Sequence, residues 1–381
     1  MMERPVYLDY QATTPLDPAV RKAMRPYWRE GFGNPHSVGH DYGAEAARAL
    51  RHARAQVAGL INADDGEIVF TSGATESCNL ALRGILSAAA DGPRDRIVTV
   101  ATEHPAVFET VQDLGRTDTD IVVLQVDSNG ILDLARLDAA LDERTLLVSV
   151  MAANNEIGVL QPMRDIAVRC HAAGALLHSD ATQAAGRIPV DVEEWGVDLL
   201  SLSAHKMYGP KGAGALFVRS GVAIRPMVTG GGQEQGRRSG TVATPLVVGL
   251  GEACEIAGSN MAAERRRIDD LTARLCERIR NACPEMRLFG DAERRLPGSL
   301  SIGFPGVPAD HVVRNLRDRI AIATGSACAS VASGPSRVLL ALGLDAETAQ
   351  TALRVSLGRF TTEDDVAIAV EALSSVRVVL P

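Results

Sequence analysis

Lysine is almost missing from this sequence. Of 39 Lys and Arg residues among 381, only Lys22, Lys206 and Lys211 are lysine. A chain that writes its positive charge as arginine has kept lysine where arginine cannot stand in. Only an amine can shed its proton on desolvation and condense with a carbonyl. No apolar run of about 18 residues occurs, so no membrane-spanning helix is expected. The opening MMERPVYLDY has no charged, apolar and cleavage regions of a signal peptide, which places the protein in the cytoplasm by expectation. The net charge of −8 argues against a nucleic-acid-binding surface. None of the six cysteines forms a Cys-x-x-Cys pair or has histidine at zinc-finger spacing. In a reducing compartment they read as free thiols, and all but Cys328 as small buried hydrophobes of helices. The GK[ST] phosphate loop is also absent, which counts against an NTPase. There is no internal repeat and no low-complexity tail.

What is present is alternation. Apolar strand-like runs (EIVFTS, RIVTVA, IVVLQV, TLLVSVM, ALLHSDATQ, VDLLSLS) alternate with helical stretches. That pattern predicts an α/β fold with a mostly parallel sheet covered by helices on both faces. Polar residues just past the strand ends then line the ligand crevice. An Arg/Glu-rich amphipathic helix expected over 261–282 begins a different composition, continued by GSLSIGF, a helix near 310–319 and ALRVSL. The expected division is a large ligand-binding domain over 15–256 and a smaller α+β domain formed by 1–14 and 257–381.

Four constellations carry chemistry. Lys206 lies in LLSLSAHKMYGPKGAGALF, a strand, a tight polar loop and a second strand, which holds one side chain rigidly at a sheet edge. Ser72-Gly73-Ala74-Thr75 sits at a strand-to-helix junction and reads as an anion site, most naturally for phosphate, although Thr75 could equally be a plain helix cap. Asp180, with Gln183 after it, ends an apolar strand and needs a cationic partner. A protonated pyridine nitrogen or a structural ion pair serves equally well. His104 follows another strand, where an imidazole either stacks on a flat cofactor and moves protons or is structural. A phosphate site, an acid for a ring nitrogen and a Schiff-base lysine are together what pyridoxal phosphate requires; Ser203 and His205 are placed to add phosphate contacts. Cys328 lies in TGSACASVASGP, a run of small residues expected to form a mobile loop with an accessible, reactive thiol.

TSGATES, TEHPAV, NNEIG, DATQ, SAHKMYGPKG, GGGQEQGRRSGT, GSACAS and LRVSLGRFTT occur in the order found in cysteine desulfurases, and over nearly the whole chain the sequence resembles that family. The resemblance implies the class V aminotransferase group and fold type I. It implies a large domain with a mostly parallel sheet of the seven-stranded type, plus the smaller α+β domain. It implies that Lys206 carries the cofactor as a Schiff base, Asp180 faces the ring nitrogen, Gln183 the ring oxygen, and His104 stacks on the ring. Ala74, Thr75, Ser203 and His205 would hold the phosphate, with Thr241 reaching it from the second subunit of a homodimer. Asn34, Asn155 and Arg354 would bind the substrate. Cys328 would take sulfur from L-cysteine as a persulfide and pass it to an acceptor such as an iron–sulfur scaffold protein. No metal site is implied beyond a transient iron–sulfur contact at Cys328. Ala152, Ala204, Gln235 and Cys78 depart from the family pattern. The alternatives are a selenocysteine lyase or another class V aminotransferase-type enzyme; GSACAS counts against a transaminase, which has no use for a loop cysteine.

Overall fold

Residues 4–117, 119–325 and 334–376 are described by a computed structural model. The N-terminal arm forms β1 (Val6–Tyr7). The large sheet is built from β2 (Ile68–Thr71), β3 (Arg96–Val100), β4 (Asp120–Leu124), β5 (Thr145–Ser149), β6 (Leu176–Asp180), β7 (Leu199–Ser203) and β8 (Gly214–Val218). These strands lie in the order β2-β8-β7-β6-β5-β3-β4. Strand β8 runs antiparallel to both of its neighbours and every other pair is parallel. The expected sheet is present, and β2, β3, β5, β6 and β7 all end on one edge.

Strands buried on both faces read as nearly continuous apolar runs. Between them come α1 (Pro18–Met24), α2 (Asp41–Ile61), α3 (Ala74–Ala88), α4 (Pro105–Leu114), α5 (Leu134–Ala140), α6 (Met163–Ala172) and α7 (Val192–Trp195). Leu200 and Leu202 of β7 join Val98, Val148 and the helix residues Val57 and Ile166 on one face. Leu199, Leu147 and Ile97 pack on the other with Leu82 of α3 and Val107 of α4. The period of two in the strands thus meets helices above and below.

The longest helix differs from expectation. Helix α8 (Thr244–Ala282) runs for 39 residues, beginning well before 261. Gly249 and Gly251 obscure its first half in the sequence, yet both serve packing. A Cβ on Gly249 would lie 2.6 Å from Met24 Sδ, and one on Gly251 2.7 Å from Ala53 Cα. Val247, Leu250 and Cys254 belong to the large core, whereas Ile268, Leu271, Leu275 and Ile279 belong to a second one. That core is completed by β9 (Arg287–Leu288), β10 (Ser299–Gly303), β11 (Ile320–Ala321), β12 (Ala323–Thr324) and β13 (Ala352–Ser356). Helices α9 (Ala309–Leu316), α10 (Arg337–Ala341), α11 (Ala346–Gln350) and α12 (Glu363–Ser374) accompany these strands. The four-stranded antiparallel order is β12-β13-β10-β9, while β1 pairs in parallel with β11. The N-terminal arm is therefore fastened to the C-terminal part of the chain before it reaches the large sheet.

A proline within α8 between the two cores removes a backbone hydrogen bond and forces a kink. Asn260→Pro is expected to cost about 3 kcal/mol or more, read as a lower urea midpoint by circular dichroism.

Candidate active site

The turn after β7 places Lys206 at the shared edge of the sheet. Its amine donates to the Gln11 carbonyl and, over 2.8 Å, to the Ala12 carbonyl of the arm. Further hydrogen bonds tie the same turn to the arm. Thr14 N and Oγ1 both reach the His205 carbonyl at 3.0 Å, and Tyr208 N donates to Thr14 Oγ1 at 2.8 Å. Gln11 is itself locked, since its N–H donates to Ser356 Oγ and its carbonyl accepts from Gln183 Nε2. A long, flexible side chain is thereby held at one point by backbone groups.

Around Lys206 lies a cavity of about 510 Å³, lined by Ala74, Thr75, His104, Asn155, Asp180, Gln183, Ser203 and His205. Eight of the sequence-selected residues other than the lysine thus share one cavity wall. At one end, α3 begins without a side-chain cap, leaving its first N–H groups to a ligand. Gly73 has φ 150°, in the region that favours glycine. Gly214 of β8 must also lack a side chain, because a Cβ there would sit 2.6 Å from Gly73 Cα. Glu76 lines this end too, its carboxylate accepting from Ser72 N and, over 2.8 Å, from Arg238 Nε. These hydrogen bonds outweigh its burial and hold its pKa below the usual value.

At the other end, Asp180 closes β6 and accepts from Thr182 N at 2.9 Å. Behind it, His178 bridges three strands: Nδ1 meets Ser149 Oγ at 2.8 Å and Nε2 meets Ser201 Oγ at 2.9 Å. Complete burial lowers its pKa to about 4. His104 caps α4, with Nδ1 accepting from Ala106 N at 3.0 Å, so the neutral ring carries its proton on Nε2. Burial is the largest cause of its lowered pKa, followed by the opposing pull of Asp180 and the push of Lys206 and Arg337. His205, beside Thr13 Oγ1 at 3.1 Å, is likewise lowered, to about 4, by burial first.

Three expected residues do not line this cavity. Arg354 is almost wholly buried on β13, with Nη2 on Asp9 Oδ1 at 2.8 Å and Nη1 on the Asn155 carbonyl at 3.0 Å. It lies directly behind Asn155 rather than in the opening. Asn34 is exposed, its side chain accepting from His36 N, and Thr241 is exposed. Cys328 lies outside the described residues. Of the other cysteines, Cys78, Cys170, Cys254 and Cys283 are buried and Cys276 is half-buried. Sequence reasoning missed Ala12 and Thr13 of the arm, as well as Glu76 and Lys211, which also line the cavity. The arm's run of small hydroxyl residues, QATTP, was the available signal.

Three buried polar atoms in residues of the wall lack a hydrogen-bond partner: Gln183 Oε1, Thr182 Oγ1 and Asn155 Nδ2. A cavity that holds unmet donors and acceptors, an anion-binding helix start and a carboxylate fits a polar, phosphorylated ring. The sequence matches Aminotransferase class-V over residues 6–368. The chain belongs to the class V aminotransferase family. It is 47% identical over 373 residues to a protein of Rickettsia felis named cysteine desulfurase IscS, covering 97% of this chain and 90% of the relative. A solved NifS-like protein is 36% identical and superposes with a TM-score of 0.92, covering 99% of this chain and all of the other. A structure described as SspA in complex with cysteine is 33% identical, with a TM-score of 0.83 over 93% of this chain and 99% of that one. Class V aminotransferases and cysteine desulfurases are pyridoxal-phosphate enzymes.

The buried histidine sets a pH dependence. His178 falls from an ordinary 6.5 to about 4 in the fold, so between those values the unfolded chain binds the extra proton. Stability from this site is complete above pH 6.5 and is lost as pH falls toward 4, by about 3 kcal/mol in all. Urea unfolding at neutral pH and near pH 4.5 should show a fall that is about 2 to 3 kcal/mol smaller in His178→Gln.

Proposed function

We propose that this chain is a pyridoxal-phosphate-dependent cysteine desulfurase, converting L-cysteine to L-alanine and holding the released sulfur as a persulfide on Cys328. The observation that carries it is the fixed Lys206 amine facing a polar cavity, in a chain 47% identical to a named cysteine desulfurase across 97% of its length. Bound there, pyridoxal phosphate supplies an electrophilic carbonyl and an electron sink. Lys206 would hold the cofactor covalently and, as a free amine, would take the substrate's Cα proton on Nζ. Asp180 would offer a carboxylate to the ring nitrogen, and Gln183 would hydrogen-bond the ring oxygen. Ala74, Thr75, Ser203 and His205 would receive the phosphate, completed by Thr241 of the second subunit in a homodimer.

Neutral His104 exchanges a proton with the substrate through Nε2. Asn155 receives the substrate carboxylate, Arg354 joins it when its pairing with Asp9 opens, and Asn34 lines the approach. The Cys328 thiolate attacks the substrate sulfur. The new S–S bond forms as the Cβ–S pair returns to carbon, which is then protonated on the way to alanine. The persulfide passes to an acceptor, of which an iron–sulfur scaffold protein is the proposed one, in the cytoplasm. Among the described residues no helix is long and apolar enough to cross a membrane.

Pyridoxal-phosphate-loaded protein given L-cysteine and a thiol reductant should release alanine and sulfide in equal amounts. Cys328→Ser should keep the yellow cofactor and lose turnover, whereas Lys206→Ala should lose both the covalent cofactor and alanine. Undiminished sulfide from Cys328→Ser would remove that residue from the mechanism. A kcat/KM far higher for selenocysteine than for cysteine would reassign the enzyme as a selenocysteine lyase.

A further inference from the structure

His104 stands on a four-residue turn between β3 and α4, and each of the three carbonyls before it is occupied by a side chain from elsewhere. Asn154 Nδ2 donates to the Thr102 carbonyl at 2.9 Å. The other two belong to one residue: Arg337 Nη1 donates to the Ala101 carbonyl at 2.6 Å and Nη2 to the Glu103 carbonyl at 2.8 Å. Its guanidinium also covers the Phe108 ring, with Cζ 3.5 Å from the centroid. Phe108 lies on the helix that His104 caps, so the turn and the helix start are gripped by the same group. A planar fork with fixed donors can bridge two carbonyls of one turn; an ammonium cannot do so with the same geometry.

Arg337 is itself anchored. It opens α10, whose cap Ser336 donates to Glu156 Oε2 at 2.5 Å and accepts from Leu339 N. Glu156 follows Asn155 of the cavity wall. The charged groups facing His104 are Asp180 of β6, Lys206 of the turn after β7 and Arg337; those facing Arg337 are Glu156, Glu103 and Glu109.

We propose that Arg337 is a positioning residue for His104, fixing the turn that presents the imidazole to the cavity. This rests on the desulfurase reading only for its effect on turnover. The guanidinium's push on His104 acts in the direction of burial and against Asp180. Arg337 does not line the cavity; its action is through the backbone of another element.

The test compares wild type, Arg337→Met and Arg337→Lys as pyridoxal-phosphate-loaded proteins. The His104 ring signal, identified by its loss in His104→Gln, is titrated by carbon-13 NMR. In Arg337→Met the His104 titration should move upward from that of wild type, and kcat for alanine release should fall about 10- to 100-fold with KM little changed. Arg337→Lys keeps the charge, so its His104 titration should stay near wild type while kcat falls. A His104 titration in Arg337→Met that coincides with wild type, or an unchanged kcat, overturns the proposal. Should Arg337→Met not fold, a wild-type kcat in Arg337→Lys overturns it instead. A wild type that releases no alanine while the His104 titration still moves on mutation would discard the desulfurase reading and leave the positioning role standing.

Discussion

The grip of two arm carbonyls on the Lys206 amine is the constraint on which the rest of the site depends. Lys206 lies 195 residues from Gln11 in sequence, and that separation is bridged by backbone oxygens rather than by a side-chain partner alone. The arm can offer those oxygens only because it is held in turn. Tyr10 N donates to the Ser356 carbonyl, Ser299 Oγ to Gln11 Oε1, and Arg187 Nη2 to the Tyr10 carbonyl. Both cores therefore contribute to where one nitrogen sits. An amine held by backbone carbonyls is fixed in position by hydrogen bonds alone.

Beneath the cavity the sheet accepts polar residues that would be costly if left alone. Ser149, His178 and Ser201 satisfy one another across three strands, so the neutral imidazole fills core volume with no orphaned ring nitrogen. Glu103 shows the other side of the same economy. It is almost fully buried, accepts from Met151 N with one oxygen and leaves the second without a partner, and burial raises its pKa well above the usual carboxyl value. The placement of ionisable groups here follows their surroundings more than their intrinsic acidity.

The central sheet and most of the cavity wall were legible because they depend on local pattern. Apolar runs ending in polar residues mark strand ends, and the scarcity of lysine isolates Lys206. The first half of α8 was hidden because Gly249 and Gly251 look like loop residues while acting as contact points for α1 and α2. The arm's part in the site was hidden because it works through carbonyls, which every residue owns. Arg337 gives no local signal either, since the two carbonyls it grips lie more than 230 positions away. The motif around Arg354 leads to the expectation of a substrate-site residue, yet its burial and its pairing with Asp9 are properties of the fold and not of that motif.

The parallel pairing of β1 with β11, and of Asp9 with Ser356, fixes an order of events during synthesis. Val6 and Tyr7 have no strand to join until the chain has been made as far as Ile320 and Ala321. The large sheet can close earlier from segments near one another in sequence, but the lysine turn stays open on its arm side until then. Contacts of such long sequence separation form late and slowly. The arm side of the lysine turn is therefore completed only once Ile320, Ala321 and Ser356 have joined the fold.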